Sequence, residues 1–466
     1  QTSAQYKKGG ALWLTSGNAY LQNNTMNDCE GLSAEIYNDG ATILSPINII
    51  ISNVTTQEDM EYNITVNMTD DNGNSIDLYS VTISIYDMED NLIETHTLEH
   101  ENEFLVNGTA TFNLVAEIEM GNYIIFLAND EEEVTIPVVS DANLEVTKSP
   151  YLKYRQIQQM INDAQENDII TLEADIRRGN SEDSVILNKS VTLDVNGHVW
   201  DPKSERVFDV VDGAIVTVKN METINVGNSN PLYTNVNGRF ANITNGSLTL
   251  ENVHLINSTA PVFGSNTVGT FLNVSRNSNL NMNNCTIEDS QATVILSEGT
   301  VNINNTIIRN IYNPGTDYPG LIENRGKLDI NNSQIINNTV NLATVYGIRQ
   351  SQPMTVDNTS FINNTAAHGS GMAIRTNDKT NITNSIFINN TGSAMSSRGG
   401  AIYSNDDLFV YNSTFINNYA NGNNGSIIYV ANGNLNISHS ILVALNASKV
   451  KAIYNEADEE NTAVAN

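Results

Sequence analysis

The chain has 466 residues and a formal net charge of −31, with 53 Asp and Glu against 22 Lys and Arg. Only 16% of residues are charged, so the imbalance comes from scarce cations, and it argues against nucleic acid and anionic membrane surfaces as partners. Hydrophobic residues make up 40%, enough for sizeable buried cores, and the length suggests about two to four domains.

Asparagine is the outlier, at about 70 residues, several times its ordinary usage. Its amide competes for backbone hydrogen bonds inside helices, so an ordered Asn-rich chain points to many turns or to stacked turns. No run of ~18 apolar residues exists, which predicts no membrane insertion in this segment. The chain begins at Gln1 with no signal peptide and reads as a mature or excised piece. Cys29 and Cys285 are too few for a disulfide framework or a zinc site and read as small buried hydrophobes.

Residues 1–43 carry a coil-like pattern, with Leu12-Trp13-Leu14 followed by Ala19, Leu21, Asn23 and Met26. It aligns with residues 425–442, and Glu35-Ile36-Tyr37-Asn38-Asp39 aligns with Ala452-Ile453-Tyr454-Asn455-Glu456. The segment therefore reads as the terminal coils of a preceding β-helix, and the chain as one period of a tandem array.

Residues 44–140 alternate apolar and polar at full strand length, as in Tyr62, Ile64, Val66 and Met68, or Val81, Ile83 and Ile85. Roughly seven strands in about 100 residues predict an Ig-like β-sandwich. No Lys or Arg occurs between Gly9 and Glu145, so this module holds much of the negative charge. Asp70, Asp71, Asn72, Asn74 and Asp77 suggest Ca²⁺, but they lack the placed glycine and distal Glu of an EF-hand loop and read as a hairpin turn.

Residues 141–466 read as a capped right-handed parallel β-helix. Ser149-Pro150 signals a helix start, and Ile157, Met160, Ile161 and Ala164 recur at helical spacing, as a cap would. From about residue 240 the pattern apolar-x-apolar-x-Asn-x-x-apolar repeats every 21 to 32 residues or so, the length of one solenoid coil. Its Asn slots are Asn252, Asn284, Asn305, Asn332, Asn358, Asn384 and Asn412, with His439 in the last. Being in phase with the inward apolar residues, these side chains are expected to point inward as a structural ladder. A second column runs through Asn337, Asn363, Asn389 and Asn417. The whole is thus an all-β chain: a solenoid with a sandwich domain.

Phe-Ile-Asn-Asn-Thr-Ala at 361–366, its variant at 387–392 and Gly399-Gly400-Ala401-Ile402-Tyr403 resemble adhesin-like surface proteins of methanogenic archaea. In that family, β-helix repeats alternate with bacterial-type Ig-like domains. The resemblance implies an extracellular, cell-surface segment that attaches to surface proteins or glycans of other cells through a rigid rod. It supplies no catalytic residues.

Polysaccharide lyases and hydrolases also use parallel β-helices, so the fold alone leaves an enzyme open. Glycosidases need paired carboxylates, and here neutral amides occupy the repeated positions. No catalytic, cofactor or metal residues are assigned, and the expectation is a non-enzymatic, cofactor-free monomer. A pure spacer is the alternative. The six histidines are scattered, and the loose His96/His100 pair reads as solvated. Of roughly 20 Asn-x-Ser/Thr sequons, Asn63, Asn67, Asn107 and Asn245 are the glycosylation candidates, because inward ladder sequons such as Asn358 and Asn412 could not carry a glycan. Aromatics aligned on one solenoid face would be the most telling sign of a binding surface.

Overall fold

The computed structural model describes residues 12–14, 18–20, 36–38, 42–44, 48–58, 60–69, 73, 75, 80–99, 105–106, 109–116, 120–128, 141–179, 182–227, 237–258, 270–291, 293–313, 320–340, 346–366, 370–422, 427–444 and 452–456. The chain divides into two compact units, 1–149 and 150–466.

The first unit opens with short strands β1 (Leu12–Leu14), β2 (Asn18–Tyr20), β3 (Ile36–Asn38) and β4 (Thr42–Leu44). β1 pairs in parallel with β3, and β2 with β4, as successive solenoid coils pair. Two sheets follow. One contains β5 (Asn48–Ile51), β7 (Glu61–Thr69), β10 (Leu105–Val106) and β11 (Thr109–Val115), all antiparallel. The other contains β6 (Val54–Gln57), β8 (Ser80–Asp87), β9 (Leu92–Glu99), β12 (Gly121–Ala128) and β13 (Asp141–Thr147), antiparallel except where β6 joins β13.

Strict alternation in β7 buries Tyr62, Ile64, Val66 and Met68 and leaves Asn63 and Asn67 exposed and Thr65 half-buried. These share one core with Val81, Ile83 and Ile85 of β8, Phe112 of β11 and Leu144 of β13, so both sheets contribute to it. The acidic cluster at 70–77 lies outside the described residues except for Gly73 and Ser75; Thr69 and Ser75 form an isolated antiparallel bridge.

The second unit is a parallel β-solenoid entered through a helix, α1 (Tyr154–Asp163). The helix starts later than Ser149-Pro150 suggests, with Lys153 as N-cap. It buries Tyr154, Ile157 and Ile161, whereas Met160 is exposed, so Tyr154 takes the core position expected of Met160. Its free N-terminal amides find an acceptor in the first coil: the Glu182 carboxylate accepts from Tyr154 N at 3.2 Å and Arg155 N at 3.0 Å. The helix thereby covers the first coils, and its apolar residues join the solenoid core.

A representative coil runs Ile374–Thr376, Thr380–Thr383, Ile386–Ile388 and Thr391–Gly392. The first strand stacks in an 11-stranded sheet, the next two in a long 20-stranded sheet, and the last in a 5-stranded sheet. All stack in parallel with no slip, as in Leu408↔Leu435 and Phe387↔Phe415. Phe361, Phe387 and Phe415 stack inside at 4.8 and 4.7 Å with nearly parallel rings.

The Asn columns are where the structure corrects the sequence reading. Asn252, Asn284, Asn305, Asn332, Asn358, Asn384 and Asn412 are exposed, not inward. So are Asn337 and Asn363 of the second column, with Asn389 and Asn417 half-buried. All have positive φ, between 45° and 56°, the left-handed conformation that Asn tolerates better than most residues. They still form ladders, but on the outside. Asn358 Nδ2 donates to Asn332 Oδ1 at 2.7 Å, and Asn412 Nδ2 to Asn384 Oδ1 at 2.8 Å. In the second column, Asn363 donates to Asn337 and Asn389 to Asn363, both at 3.1 Å.

The interior ladder belongs to the next residue. After the second column, Asn338, Asn364, Asn390 and Asn418 are buried. Asn390 Oδ1 accepts from both N and Nδ2 of Asn364, at 3.2 and 2.9 Å, while its own Nδ2 donates to Phe361 O and Asn418 Oδ1. After the first column, Thr306, Ser333, Thr359, Ser385 and Ser413 are buried. Ser385 Oγ accepts from Thr359 N at 3.2 Å and donates to Thr383 O at 2.7 Å, and the others repeat this. At the third corner, Asn324 and Gln350 bond side chain to side chain at 2.9 Å.

The inner and outer Asn columns therefore differ in cost. Asn390→Ala strips partners from several buried groups and is expected to lower stability by at least about 2 kcal/mol. Asn389→Gly keeps the left-handed turn and is expected to change stability by less than about 1 kcal/mol. Denaturant titration of both variants checks this; equal losses would mean that the inner column bears no special load.

Candidate functional site: an amide trough on the long sheet

The outward faces of the coils are the available surfaces, and three of them carry aligned side chains. On the 11-stranded sheet, one outward column runs Glu323, Arg349, Arg375, Tyr403, Tyr429, Tyr454 in unbroken register. Aromatics do align, but against each other. Tyr403 stacks on Tyr429 at 5.2 Å, and Tyr429 on Tyr454 at 5.2 Å. Arg375 covers the ring of Tyr403 at 5.0 Å, and Arg398 that of Tyr429 at 4.8 Å, also donating to its hydroxyl at 2.8 Å. With ring faces turned to neighbours and guanidiniums, this column is a cation–π and stacking spine; it offers no open platform for a planar or sugar ligand.

After the bend, the long sheet presents Ile336, Ile362, Ile388, Ile416 and Val443 in one column, half-buried except for exposed Val443. Upstream on that column Glu288 sits beside Arg309, and His254 Nε2 lies 2.7 Å from Glu288 Oε1. Burial raises the Glu288 pKa, but hydrogen bonds from His254 and Arg309 outweigh it and hold the carboxyl below its usual range. Among the described residues, no group of three or more His, Cys, Asp or Glu could hold a metal ion. His96 pairs with Glu94 at 2.9 Å, and His100 lies outside the described residues.

The third surface is a concavity of about 590 Å³ on the long sheet before the bend. It is lined by Thr249, Asn281, Asn283, Asn302, Asn304, Lys327, Asp329, Asn331 and Thr355. Strand register explains the composition. Thr249, Asn281, Asn302, Asp329 and Thr355 form one outward column, and Asn283, Asn304 and Asn331 form a second, two residues further along each strand. The apolar residues between them, such as Met282, Ile303 and Ile330, face the core. The same alternation that builds the core thus builds the trough.

Hydrogen bonds run up both columns. Asn302 Nδ2 donates to Asn281 Oδ1 at 2.8 Å, Asn304 to Asn283 at 3.2 Å, and Asn331 to Asn304 at 3.1 Å. A primary amide has two N–H donors and two acceptor lone pairs, and a ladder of this kind engages one of each on an inner rung. On such an inner rung, one donor and one acceptor stay unengaged by the ladder. Rungs lie about 4.8 Å apart and the columns about 7 Å apart, so the trough is a two-dimensional grid of neutral hydrogen-bonding groups. Its only charges, Lys327 and Asp329, pair with each other at 2.5 Å.

These lining residues stand beside the predicted ladder slots without being them: Asn283, Asn304 and Asn331 immediately precede Asn284, Asn305 and Asn332. Their signal in the sequence is a doubled Asn. Of the glycosylation candidates, Asn63, Asn67 and Asn245 are exposed, while Asn107 lies outside the described residues. Asn358 and Asn412 are exposed too, so burial does not bar a glycan there, contrary to the inward placement expected of them.

Cys285 takes a hydroxyl-ladder position and is buried, with Sγ directed to Leu250 O at 3.5 Å and Asn283 O at 3.4 Å. Burial pushes its thiol pKa up to about 11. Cys29 lies outside the described residues. No protein-family model matches the chain, and no curated protein matches it either.

In a Cys29→Ser background, Cys285 is expected to resist alkylation in the folded protein at pH 8 and to react on unfolding. Mass spectrometry after iodoacetamide treatment reads this. Labelling of the native protein at the rate of a free thiol would contradict its buried, protonated state.

Proposed function

We propose that the chain is a non-catalytic binding segment of an extracellular, cell-surface adhesin, and that it holds glycans along the amide trough of its solenoid. The observation that carries this reading is the two-column grid around Asn281, Asn302, Asn283, Asn304 and Asn331. A sugar chain presents hydroxyls that both donate and accept at closely spaced intervals, and an array of half-engaged neutral amides matches that chemistry without a charge requirement. The aligned coils extend such a surface over several rungs, so many weak contacts act together.

The resemblance to adhesin-like proteins of methanogenic archaea supports the same reading. On it, the two-sheet module is Ig-like, the solenoid is right-handed, and the parent protein attaches one cell to another. The trough's chemistry also weighs against a polysaccharide lyase or hydrolase, since its one acid, Asp329, is tied to Lys327 and has no second carboxylate across from it among the lining residues.

The test is binding of the purified chain to an array of immobilised glycans and to whole cells. Asn302→Ala combined with Asn304→Ala removes two outward groups each of donors and acceptors, and is expected to weaken glycan binding at least about tenfold. Far-UV circular dichroism of the variant should match that of the parent. If the parent binds no glycan and no cell, a spacer role takes its place. Sugar products released from a polysaccharide would overturn the non-catalytic assignment.

A further inference from the structure

The face that holds the trough runs on past it. The same two outward columns of the long sheet continue without a slip in register. Asp329 and Thr355 are followed by Asn381, Phe409 and Asn436, and Asn331 by Asp357, Thr383, Tyr411 and Ser438. Two coils beyond Thr355, then, one strand carries an aromatic side chain on each column. Period-two alternation puts both rings on the outer face, while Leu408 and Val410 of that strand are buried in the core.

These two rings differ from the other aromatics of the solenoid. Every other described phenylalanine of the second unit is buried. Tyr403, Tyr429 and Tyr454 turn their ring faces to one another and to arginines. Phe409 is half-buried, with Lys379 Nζ 5.0 Å from its ring centroid, whereas Tyr411 is 49% exposed. The neighbour of Tyr411 one coil back is Thr383, too small to cover a ring. His439 meets it at 5.0 Å with the rings tilted by 56°, unlike the nearly parallel stack of Tyr403 on Tyr429. An outward aromatic adds nothing to the core. Beside a row of amides it supplies what they lack, an apolar surface with a polar tip.

The repeat along this face limits what can use both parts of it. Asn283, Asn304, Asn331, Asp357, Thr383 and Tyr411 occupy successive rungs of one column, about 24 Å from first to last. A ligand that touches the amides and the ring together must be straight, and must advance by about one rung per unit. It must also carry both hydroxyl-type groups and apolar faces. An extended β-1,4-linked pyranose chain has these properties: its sugars follow one another in a flat ribbon, with hydroxyls at the edges and C–H bonds on the faces. An α-1,4-linked chain curls away from a straight row. We propose that Tyr411, flanked by Phe409, is an aromatic subsite of the trough, and that the ligand is a β-1,4-linked polysaccharide lying parallel to the solenoid axis. Its hydroxyls meet Asn304 and Asn331, and the face of one sugar lies on the Tyr411 ring. This rests on the glycan reading of the trough and adds to it the linkage, the direction and the length of chain recognised.

Titration calorimetry with defined oligosaccharides tests this. The probes are β-1,4-linked chains of glucose and of N-acetylglucosamine, about six sugars and about three sugars long, and an α-1,4-linked glucose chain of about six. The longer β-linked chain reaches from the amides to Tyr411, and the shorter one cannot reach from Asn304. For at least one of the two sugars, the longer β-linked chain should bind at least about tenfold more tightly than the shorter one and than the α-linked chain. Tyr411→Ala should weaken binding of that longer chain at least about tenfold, and Tyr411→Trp, which keeps a flat ring, should stay within about threefold of the parent. Both variants should melt at the parent's temperature, because position 411 lies on the surface. A parent that binds glycans on the array but neither longer β-linked chain overturns the proposal and leaves the glycan reading standing. So does an α-linked chain that binds as well as the β-linked ones, or a Tyr411→Ala variant that binds like the parent. A parent that binds no glycan at all overturns the reading itself, and this proposal with it.

Discussion

Two bends of each later coil depend on one hydrogen bond apiece, from a backbone N–H at the corner to a side-chain oxygen in the next coil. Where a chain turns inside a stack, its amides leave the strand ladder and would be buried without partners. Such an orphan costs about 1–3 kcal/mol, and a solenoid repeats the problem at every corner of every coil. Ser385 Oγ receiving Thr359 N, and Asn390 Oδ1 receiving Asn364 N, are the local answers. Because both of these acceptors come from the neighbouring coil, the solution at these two corners exists only when coils are stacked. Local turn geometry and long-range stacking are thus one requirement.

The requirement fixes composition. The turn residue must tolerate positive φ, and in the later coils the one after it is mostly small and polar, so Asn followed by Ser, Thr or Asn recurs there. The apolar residues between corners fill the interior, and the outer positions are left to vary. That freedom lets one face carry a tyrosine and arginine spine, another an isoleucine column, and a third the amide trough. The fold's own chemistry, neutral amides in register, is also the chemistry available for binding.

Much of this was legible without coordinates. The coil period, the strands of each unit, the capping helix and the apolar interior follow from alternation and spacing. Less visible was which Asn does what. Glu182, capping α1 from the first coil, gave no sequence signal because its partner amides lie 27 and 28 residues away. The trough was hidden for a related reason: Asn283, Asn304 and Asn331 touch one another only through the stack, across separations of 21 and 27 residues.

By itself, then, the sequence determined that Asn recurs at the bends of the coils, and that the bends stack. Only the tertiary structure decided that these Asn side chains face outward and the following residue faces in. The reason is a single dihedral. Alternation along a strand carries the inward phase onto the Asn, but a left-handed φ there turns the chain and resets the phase by one residue. Period-two reasoning assumes extended backbone, and it fails at the one position per corner where the backbone is not extended.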